Sequence, residues 1–257
     1  MSFAFNQACE DDLIRKNPFK ISAKEYASDN KRGAVALTEE QQISFLTFVK
    51  NDPIFCKQYD AYNILLGTGL RISEFIGLTV HDLDMQNRII HVTHQLTLAR
   101  DRTFHVTKPK SWHSIRDIYM SDSVYHSFQH LVEEAKNRKV KIMIDGYCDF
   151  LQVSRDGTIR GRRNFNMSLT SAVKKYNRLH PHTPLPRITP HTFRHTFCTN
   201  MANRGIDIKS LQYLMGHSNV AITLNVYTHA NANTAVQQMA RLVEFTPAGS
   251  RTVPHVG

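Results

Sequence analysis

The sequence predicts a mainly α-helical domain with one small three-stranded antiparallel β-sheet, an α+β fold. Helical spacing of apolar residues and helix-start signals recur along most of the 257-residue chain. Three short runs rich in β-branched residues lie near the middle of the chain, separated by turn-like polar residues, and predict the strands. No apolar run approaches the roughly 20 residues that a transmembrane helix needs, so no membrane is expected as a partner.

The first predicted helices follow one another closely. Thr38 and Gln41 form a capping-box pattern that starts a helix containing Phe45. A second helix is predicted after Pro53 and ends at the sequence GTGL, and a short third helix covers Arg71 to Leu78. The predicted strands that follow span residues 88–93, 103–107 and 115–119.

The second half of the chain is predicted to be almost entirely helical. Helices are expected over residues 121–138 and 168–179. Another begins at Thr189-Pro190, because threonine is a good N-cap and proline suits the first turn. A C-terminal helix is expected from Asn233 to Phe245.

Three segments are predicted along the chain. Residues 1–35 form a short helix and a polar linker, residues 36–245 form the main domain, and residues 246–257 form a disordered tail.

The composition indicates the partner and the compartment. Lysine and arginine exceed aspartate and glutamate by 32 − 22 = 10, a surplus that favours a polyanionic partner. The four cysteines are far apart and never form CxxC, so neither a disulfide framework nor a zinc ribbon is indicated. The N-terminus lacks the basic leader of a signal peptide. Reduced thiols in a bacterial cytoplasm are therefore expected.

An anion site is predicted at the start of the helix that follows Thr189. His191 and Arg194 are three residues apart and lie on one face of that helix. His191 also lies in the first turn, where free backbone N–H groups favour an anion. By itself the pattern HxxR more often marks a surface arginine beside a hydrogen-bonded histidine.

Further residues extend the predicted site. Arg71 follows the turn GTGL in a helix first turn, where a cation requires a counter-anion, either Glu74 or a ligand phosphate. His217 follows the helix-stopping Gly216, and Tyr227 lies ten residues farther on. Fixed cations, a nucleophile and a proton donor are what metal-free phosphodiester chemistry needs. Lys108 and Lys110 are both candidates for the proton donor.

Four motifs in this order resemble the catalytic domain of the tyrosine recombinases, the phage-integrase family, and most of all the integrases of conjugative transposons. The motifs are TGLRISEFIGL, TKPKSWHSIRDIYM, PHTFRHTF and LMGHSNVAITLNVYTH, and the resemblance covers roughly residues 38–232. Each motif alone is weak, whereas all four in order with fitting gaps are specific. The resemblance implies the tyrosine recombinase catalytic-domain fold and an enzyme that cleaves and rejoins DNA without a metal or other cofactor.

The resemblance also implies a role for each site residue. Tyr227 would attack the scissile phosphate and form a 3′-phosphotyrosine link, while Arg71 and Arg194 would bind the non-bridging oxygens. Lys110 would protonate the leaving oxygen, and His191 would accept or orient the tyrosine proton. His217 would donate a hydrogen bond to the phosphate. Three further residues are expected to support the site, Glu74 by orienting it and Lys108 and Arg116 by contacting DNA.

The implied partners are double-stranded DNA attachment sites, further copies of the chain in a tetramer on DNA, and accessory DNA-bending factors. The integration and excision of a mobile element is the implied role. The family usually carries an N-terminal core-binding domain, of which residues 1–35 resemble only the last helix and the linker. The helix from Asn233 to Phe245 is expected either to pack on its own domain or to dock on a neighbouring protomer.

Three alternatives remain open at the level of sequence. A type IB topoisomerase would use comparable residues to relax DNA without exchanging strands. A DNA-binding regulator would use residues 205–227 as a helix-turn-helix and would not need the Tyr227 hydroxyl. A zinc hydrolase could be built on histidines, but the segment HTFRH lacks the glutamate of HExxH. The four histidines considered for zinc are His180, His182, His191 and His195.

Overall fold

The structure is a computed structural model, and it describes residues 36–109, 112–221 and 223–224. Within these residues the fold is mainly helical with small antiparallel sheets, which confirms the predicted fold class. In chain order the helices are α1 (Glu39–Asn51), α2 (Tyr59–Thr68), α3 (Ile72–Gly77), α4 (Asp122–Lys136), α5 (Arg162–Leu179), α6 (Pro190–Asn203) and α7 (Ile208–Met215). The strands are β1 (Leu83–Asp84), β2 (Ile89–Val92), β3 (Gln95–Leu98), β4 (Phe104–Thr107), β5 (Arg116–Tyr119), β6 (Met143–Ile144) and β7 (Tyr147–Cys148).

The strands form three separate antiparallel sheets among the described residues, where the sequence predicted one. Strands β1, β2 and β5 form a three-stranded sheet, in which Ile90 of β2 lies opposite Ile118 of β5. Strand β4 was expected in this sheet but pairs instead with β3, and Thr107 lies opposite Gln95. The prediction was wrong here because β3 was not recognised as a strand, so β4 had no visible partner near it in the sequence.

The helix starts follow the local signals in the sequence. The Thr38 side chain accepts a hydrogen bond from the backbone N–H of Gln41 at 3.3 Å, and the Gln41 side chain accepts one from the Thr38 N–H at 3.1 Å. Thr189 caps α6 in the same way, accepting from the Thr192 N–H at 3.1 Å, with Pro190 in the first turn. Both caps satisfy N–H groups that have no acceptor within the helix.

An aromatic cluster fixes α6 against α1 and α2. The ring of Phe193 lies 5.9 Å from that of Phe45 and 5.8 Å from that of Tyr62, measured between centroids, and all three side chains are buried. Burying one such side chain stabilises a fold by about 2–3 kcal/mol. The next residue along α6 is Arg194, so this packing sets the position of the predicted anion site.

A glycine allows α6 to approach the end of α2 closely. Gly69 has a φ of +64°, and a Cβ atom built there would lie 2.4 Å from Cδ1 of Phe197. Any other residue there would clash with the Phe197 ring unless the ring shifted. Gly69 therefore lets a side chain of α6 pack directly against the end of α2.

Several predicted features lie outside the described residues. They are the helix and linker of residues 1–35, Lys110, Tyr227, the helix from Asn233 to Phe245, and the tail of residues 246–257. In the part of the chain that is described, no helix is both long enough and apolar enough to cross a lipid bilayer.

Candidate active site

The end of helix α7 brings together residues that are far apart in sequence. Arg71 directly precedes α3, and its Nη2 donates a hydrogen bond to the carbonyl oxygen of Gly216 at 2.6 Å. About a third of the Arg71 side chain is exposed (33%), so a side chain that the protein holds in place still reaches solvent. This is a suitable state for a cation that binds an external anion.

Arg194 is held by the same helix end. Its Nη2 donates to the carbonyl oxygen of Met215, and its Nη1 donates to that of Gly69 at 2.7 Å. Burial, followed by the positive charge of Arg71, lowers the pKa of Arg194 from its ordinary value to about 9. The guanidinium therefore remains protonated at neutral pH.

Glu74 is the countercharge at the base of the site. Its Oε1 accepts a hydrogen bond from Nη1 of Arg71 at 2.7 Å, and its Oε2 accepts one from the Arg71 backbone N–H at 2.8 Å. Burial alone would raise the pKa of Glu74, but the hydrogen bonds and charge of Arg116, together with the charge of Arg71, bring it below its ordinary value. The carboxylate is therefore charged and fixes Arg71 at two points.

Arg116 does not occupy the surface position expected of a DNA contact. Its side chain is completely buried, with 0% exposure, and its guanidinium forms a fork on Glu74 with Nη2 2.8 Å from Oε2 and Nη1 3.1 Å from Oε1. The expectation that Arg116 contacts DNA is therefore wrong in this structure, because the carboxylate draws the cation into the interior. Buried and exposed side chains alternate along β5, and Arg116 lies on the same buried face as Ile118. This alternation was the sequence signal for a buried Arg116.

His217 follows the helix end directly. Its Nδ1 lies 3.1 Å from the hydroxyl oxygen of Thr223, and Thr223 is fully buried. Burial, followed by the positive charges of Arg194 and Arg71, lowers the pKa of His217 from its ordinary value of 6.5 to about 4. The imidazole is therefore neutral at pH 7, and when Nδ1 accepts from Thr223 the proton is on Nε2.

Gly216 is required by the geometry of this helix end. It has a φ of +57°, and a Cβ atom built there would lie 3.2 Å from Nη1 of both Arg71 and Arg116. Glycine thus ends α7 and leaves room for two guanidinium groups.

The remaining predicted residues lie at the edge of the described site. His191 is exposed in the first turn of α6, one turn before Arg194. Lys108 is exposed directly after β4. Lys110 and Tyr227 lie outside the described residues, so their predicted roles remain proposals.

Some partners were not visible in the sequence. The acceptors that hold the two arginines are the backbone oxygens of Gly69, Met215 and Gly216, and a backbone acceptor leaves no residue-type signal. Gly69 and Gly216 were the available clue, since each follows the last residue of a helix, where the final carbonyl groups have no partner within the helix.

The zinc alternative finds no support in the side-chain arrangement. Among the described residues, the one group of three potential ligands whose atoms lie within 4.8 Å of one another is His81, Cys148 and Asp149. The four histidines considered for zinc do not form such a group. Asp149 is already paired with the ammonium of Lys141 at 2.6 Å, which opposes a second cation there.

Known proteins resemble this chain in sequence and in fold. The sequence profile of the phage integrase family matches residues 36–234. The transposase from transposon Tn916 of Enterococcus faecalis is 43% identical over 239 residues, which are 93% of this chain and 58% of that protein. The tyrosine recombinase XerC of Bacillus pumilus is 30% identical over 223 residues, covering 86% of this chain and 65% of that protein. The chain thus spans under two-thirds of the length of these relatives.

Solved structures show the same fold. The integrase of transposon Tn1549 in complex with transposon right end DNA is 44% identical with a TM-score of 0.83, over 94% of this chain and 76% of that one. The same integrase in complex with circular intermediate DNA is 43% identical with a TM-score of 0.82, over 94% and 76% of the two chains. XerA recombinase shares the fold at 22% identity and a TM-score of 0.59. The predicted resemblance is confirmed, and the chain belongs to the phage integrase family.

Proposed function

We propose that this chain is the catalytic part of a tyrosine-type site-specific DNA recombinase. One observation carries the proposal: Arg71 and Arg194 donate to adjacent carbonyl oxygens at one helix end, immediately before a neutral His217. Both guanidinium groups are therefore fixed before any ligand arrives. Donors that are already in place stabilise a developing charge without a reorganisation cost.

The charge of the site suits a phosphodiester. Arg71, Arg194 and Arg116 supply three positive charges, and Glu74 supplies one negative charge, which leaves a surplus of 3 − 1 = 2. A phosphodiester carries one negative charge, and attack by an oxyanion adds a second in the transition state. Arg71 and Arg194 bind the non-bridging oxygens, and His217 donates through Nε2–H to one of them.

Tyr227 is the proposed nucleophile. Its oxygen forms a bond to the scissile phosphorus while the bond from phosphorus to the 5′-oxygen breaks, which leaves a 3′-phosphotyrosine link. His191 accepts the proton of the tyrosine hydroxyl, and Lys110 gives a proton to the departing 5′-oxygen. Attack by a 5′-hydroxyl from another strand reverses the step. The bond energy is conserved, so strand exchange needs no external energy source.

The proposed substrate is a double-stranded DNA attachment site of a mobile element, and the proposed outcome is integration and excision. The Tn1549 integrase, 43–44% identical to this chain, is bound to transposon end and circular intermediate DNA in its structures. The net charge of +10 favours the same kind of partner. We further propose a tetramer on DNA, help from DNA-bending factors, and action in the bacterial cytoplasm.

The test uses a nicked duplex carrying the Tn1549 right end, from which the cleaved strand fragment diffuses away so that the covalent complex accumulates. We expect wild-type protein to give a protein–DNA adduct on a denaturing gel in the presence of EDTA. Tyr227→Phe is expected to bind the DNA equally well but give no adduct.

Two other outcomes would contradict the proposal. DNA binding without any adduct from the wild-type protein would favour a regulator. Adducts at many unrelated sequences, with relaxation of plasmids that carry no transposon end, would favour a type IB topoisomerase.

A further inference from the structure

Three consecutive carbonyl groups at the end of α7 each accept a hydrogen bond from a different arginine. The oxygen of Leu214 accepts from Nε of Arg116 at 2.7 Å. The next two, of Met215 and Gly216, accept from Nη2 of Arg194 and Nη2 of Arg71. The last carbonyls of a helix lack partners within it and carry the negative end of its dipole. This helix end therefore spaces three cations side by side.

Arg116 differs from the other two arginines. Each of its guanidinium nitrogens ends on a protein acceptor: Nε on Leu214, Nη2 on Glu74, and Nη1 on both Glu74 and the Ser114 carbonyl, the last at 2.9 Å. With no exposed surface, the side chain cannot reach a DNA phosphate. Its effect on a substrate must pass through the residues that it holds.

Glu74 is shared between Arg116 and Arg71. If Glu74 paired with Arg71 alone, its negative charge would neutralise the positive charge of the residue that is proposed to bind the phosphate. Arg116 supplies a second positive charge at 2.8 Å from the same carboxylate and so offsets it. Arg71 then keeps its charge available at its exposed side.

Arg116 also connects the segments that carry the site. It lies at the start of β5, six positions after Lys110 in the sequence, and it bonds to α3 through Glu74 and to the end of α7 through Leu214. The bidentate fork on Glu74 restricts both direction and distance, which a lysine ammonium in the same place would not do.

We propose that Arg116 is a positioning residue for phosphate activation, an inference that rests on the proposed recombinase function. It keeps the Glu74 carboxylate from cancelling the charge of Arg71, and it holds the helix end that orients Arg71 and Arg194 toward one point.

The test compares two DNA substrates in the adduct assay. After the cleaved position has been mapped with wild-type protein, a second nicked duplex carries a methylphosphonate there, which replaces an anionic oxygen by a methyl group and removes the negative charge. Arg116→Met is expected to form adduct on the order of 10²-fold more slowly than wild type on the normal phosphate. On the neutral methylphosphonate, the ratio of the wild-type rate to the Arg116→Met rate is expected to be at least about tenfold smaller. The reason is that this substrate lacks the negative charge that Arg71 and Arg194 are positioned to bind.

Two further variants separate positioning from folding. Arg116→Lys keeps the charge but not the fork, and we expect it to recover part of the lost rate. Arg138→Met removes a part-buried arginine that also donates to backbone carbonyls, those of Phe150 and Leu151, and we expect wild-type rates on both substrates. If Arg116→Met does not fold, the comparison of substrates is made with Arg116→Lys.

The outcomes are distinct. A rate for Arg116→Met equal to that of wild type, or an equal loss on both substrates, overturns the positioning role, and the equal loss would assign a structural role. Absence of an adduct from wild-type protein on the normal phosphate contradicts the proposed function itself, and the inference with it.

Discussion

The guanidinium of Arg71 donates to the carbonyl oxygen of Gly216 at 2.6 Å across 145 positions of sequence. This bond joins the residue that precedes α3 to the residue that follows α7, and His217 comes next in the chain. The same glycine leaves space for Arg71 and Arg116, since an added Cβ would lie 3.2 Å from each. Gly216 therefore has two roles: it adopts the left-handed conformation that ends α7, and its lack of a side chain leaves space for the two guanidinium groups.

Gly216→Ala tests both roles. Alanine in the left-handed region costs about 1–2 kcal/mol, and its methyl group would displace the two guanidinium groups. We expect a lower Tm together with a fall in the rate of adduct formation of about tenfold or more. Gly146→Ala is the matched control, because Gly146 has a φ of +84° and nothing lies within 4 Å of an added Cβ. It should lower Tm comparably and leave the cleavage rate unchanged, whereas equal cleavage rates in the two variants would contradict the steric role.

Glu74→Gln removes the buried carboxylate that two arginines share. Leaving Arg116 buried without its countercharge should lower the free energy of unfolding by about 3–5 kcal/mol at pH 7, measured in urea. Because the pKa of Glu74 is lowered in the folded state, its stabilisation is present above the ordinary value of 4.5 and is lost as the pH falls through the folded value. The variant should lack this acid-dependent loss. Asp122→Asn, which disrupts an ion pair with Arg88 at the surface, should have a much smaller effect.

His217 should stay uncharged well below the pH at which an ordinary histidine titrates. Its pKa of about 4, set by burial and then by the cations Arg194 and Arg71, predicts a neutral ring at pH 6 in the DNA-free protein. In the unfolded chain His217 takes up its proton near pH 6.5. The contribution of its neutral ring to the free energy of unfolding is therefore fully present above pH 6.5 and decreases as the pH falls from 6.5 toward 4. An NMR titration of the ring, assigned by comparison with His217→Gln, measures this directly. A midpoint near 6.5 would show that burial and the neighbouring cations do not act on the ring in the folded protein.

The Thr223 hydroxyl should control the orientation of His217. Thr223→Val keeps the shape but loses the hydrogen bond to Nδ1 at 3.1 Å, which is worth about 1 kcal/mol or roughly fivefold in rate. We expect a slower adduct formation of that size, while Thr223→Ser, which keeps the hydroxyl, remains close to wild type. Equal rates for the valine and serine variants would mean that the hydroxyl does not orient the imidazole.

The sequence predicted local structure well where a local signal existed. The Thr38–Gln41 and Thr189–Thr192 caps formed because their hydrogen bonds span three residues and need nothing from the rest of the chain. Strand pairing was predicted poorly. Strand β4 was found, but its partner β3 was not. Whether a segment of four residues forms a strand depends on its packing as well as on its residue types.

The site was predicted unevenly for the same reason. The structure brings Arg71, Arg194 and His217 to one helix end, whereas Arg116, which was expected to contact DNA, is buried. A charged side chain in a strand is usually exposed, and Arg116 is buried here because the carboxylate of Glu74, 42 positions before it, and the carbonyl of Leu214, 98 positions after it, accept its hydrogen bonds. Such a pairing over a long sequence separation leaves no mark in either segment.

The central claim is tested most directly by identifying the atom that is joined to DNA. The adduct from wild-type protein is digested with nuclease and trypsin, and the nucleotide-linked peptide is sequenced by mass spectrometry. We predict a single linkage, between the Tyr227 oxygen and a 3′-phosphate, with a free 5′-hydroxyl on the other fragment. A linkage to another residue, or to a 5′-phosphate, would contradict the account.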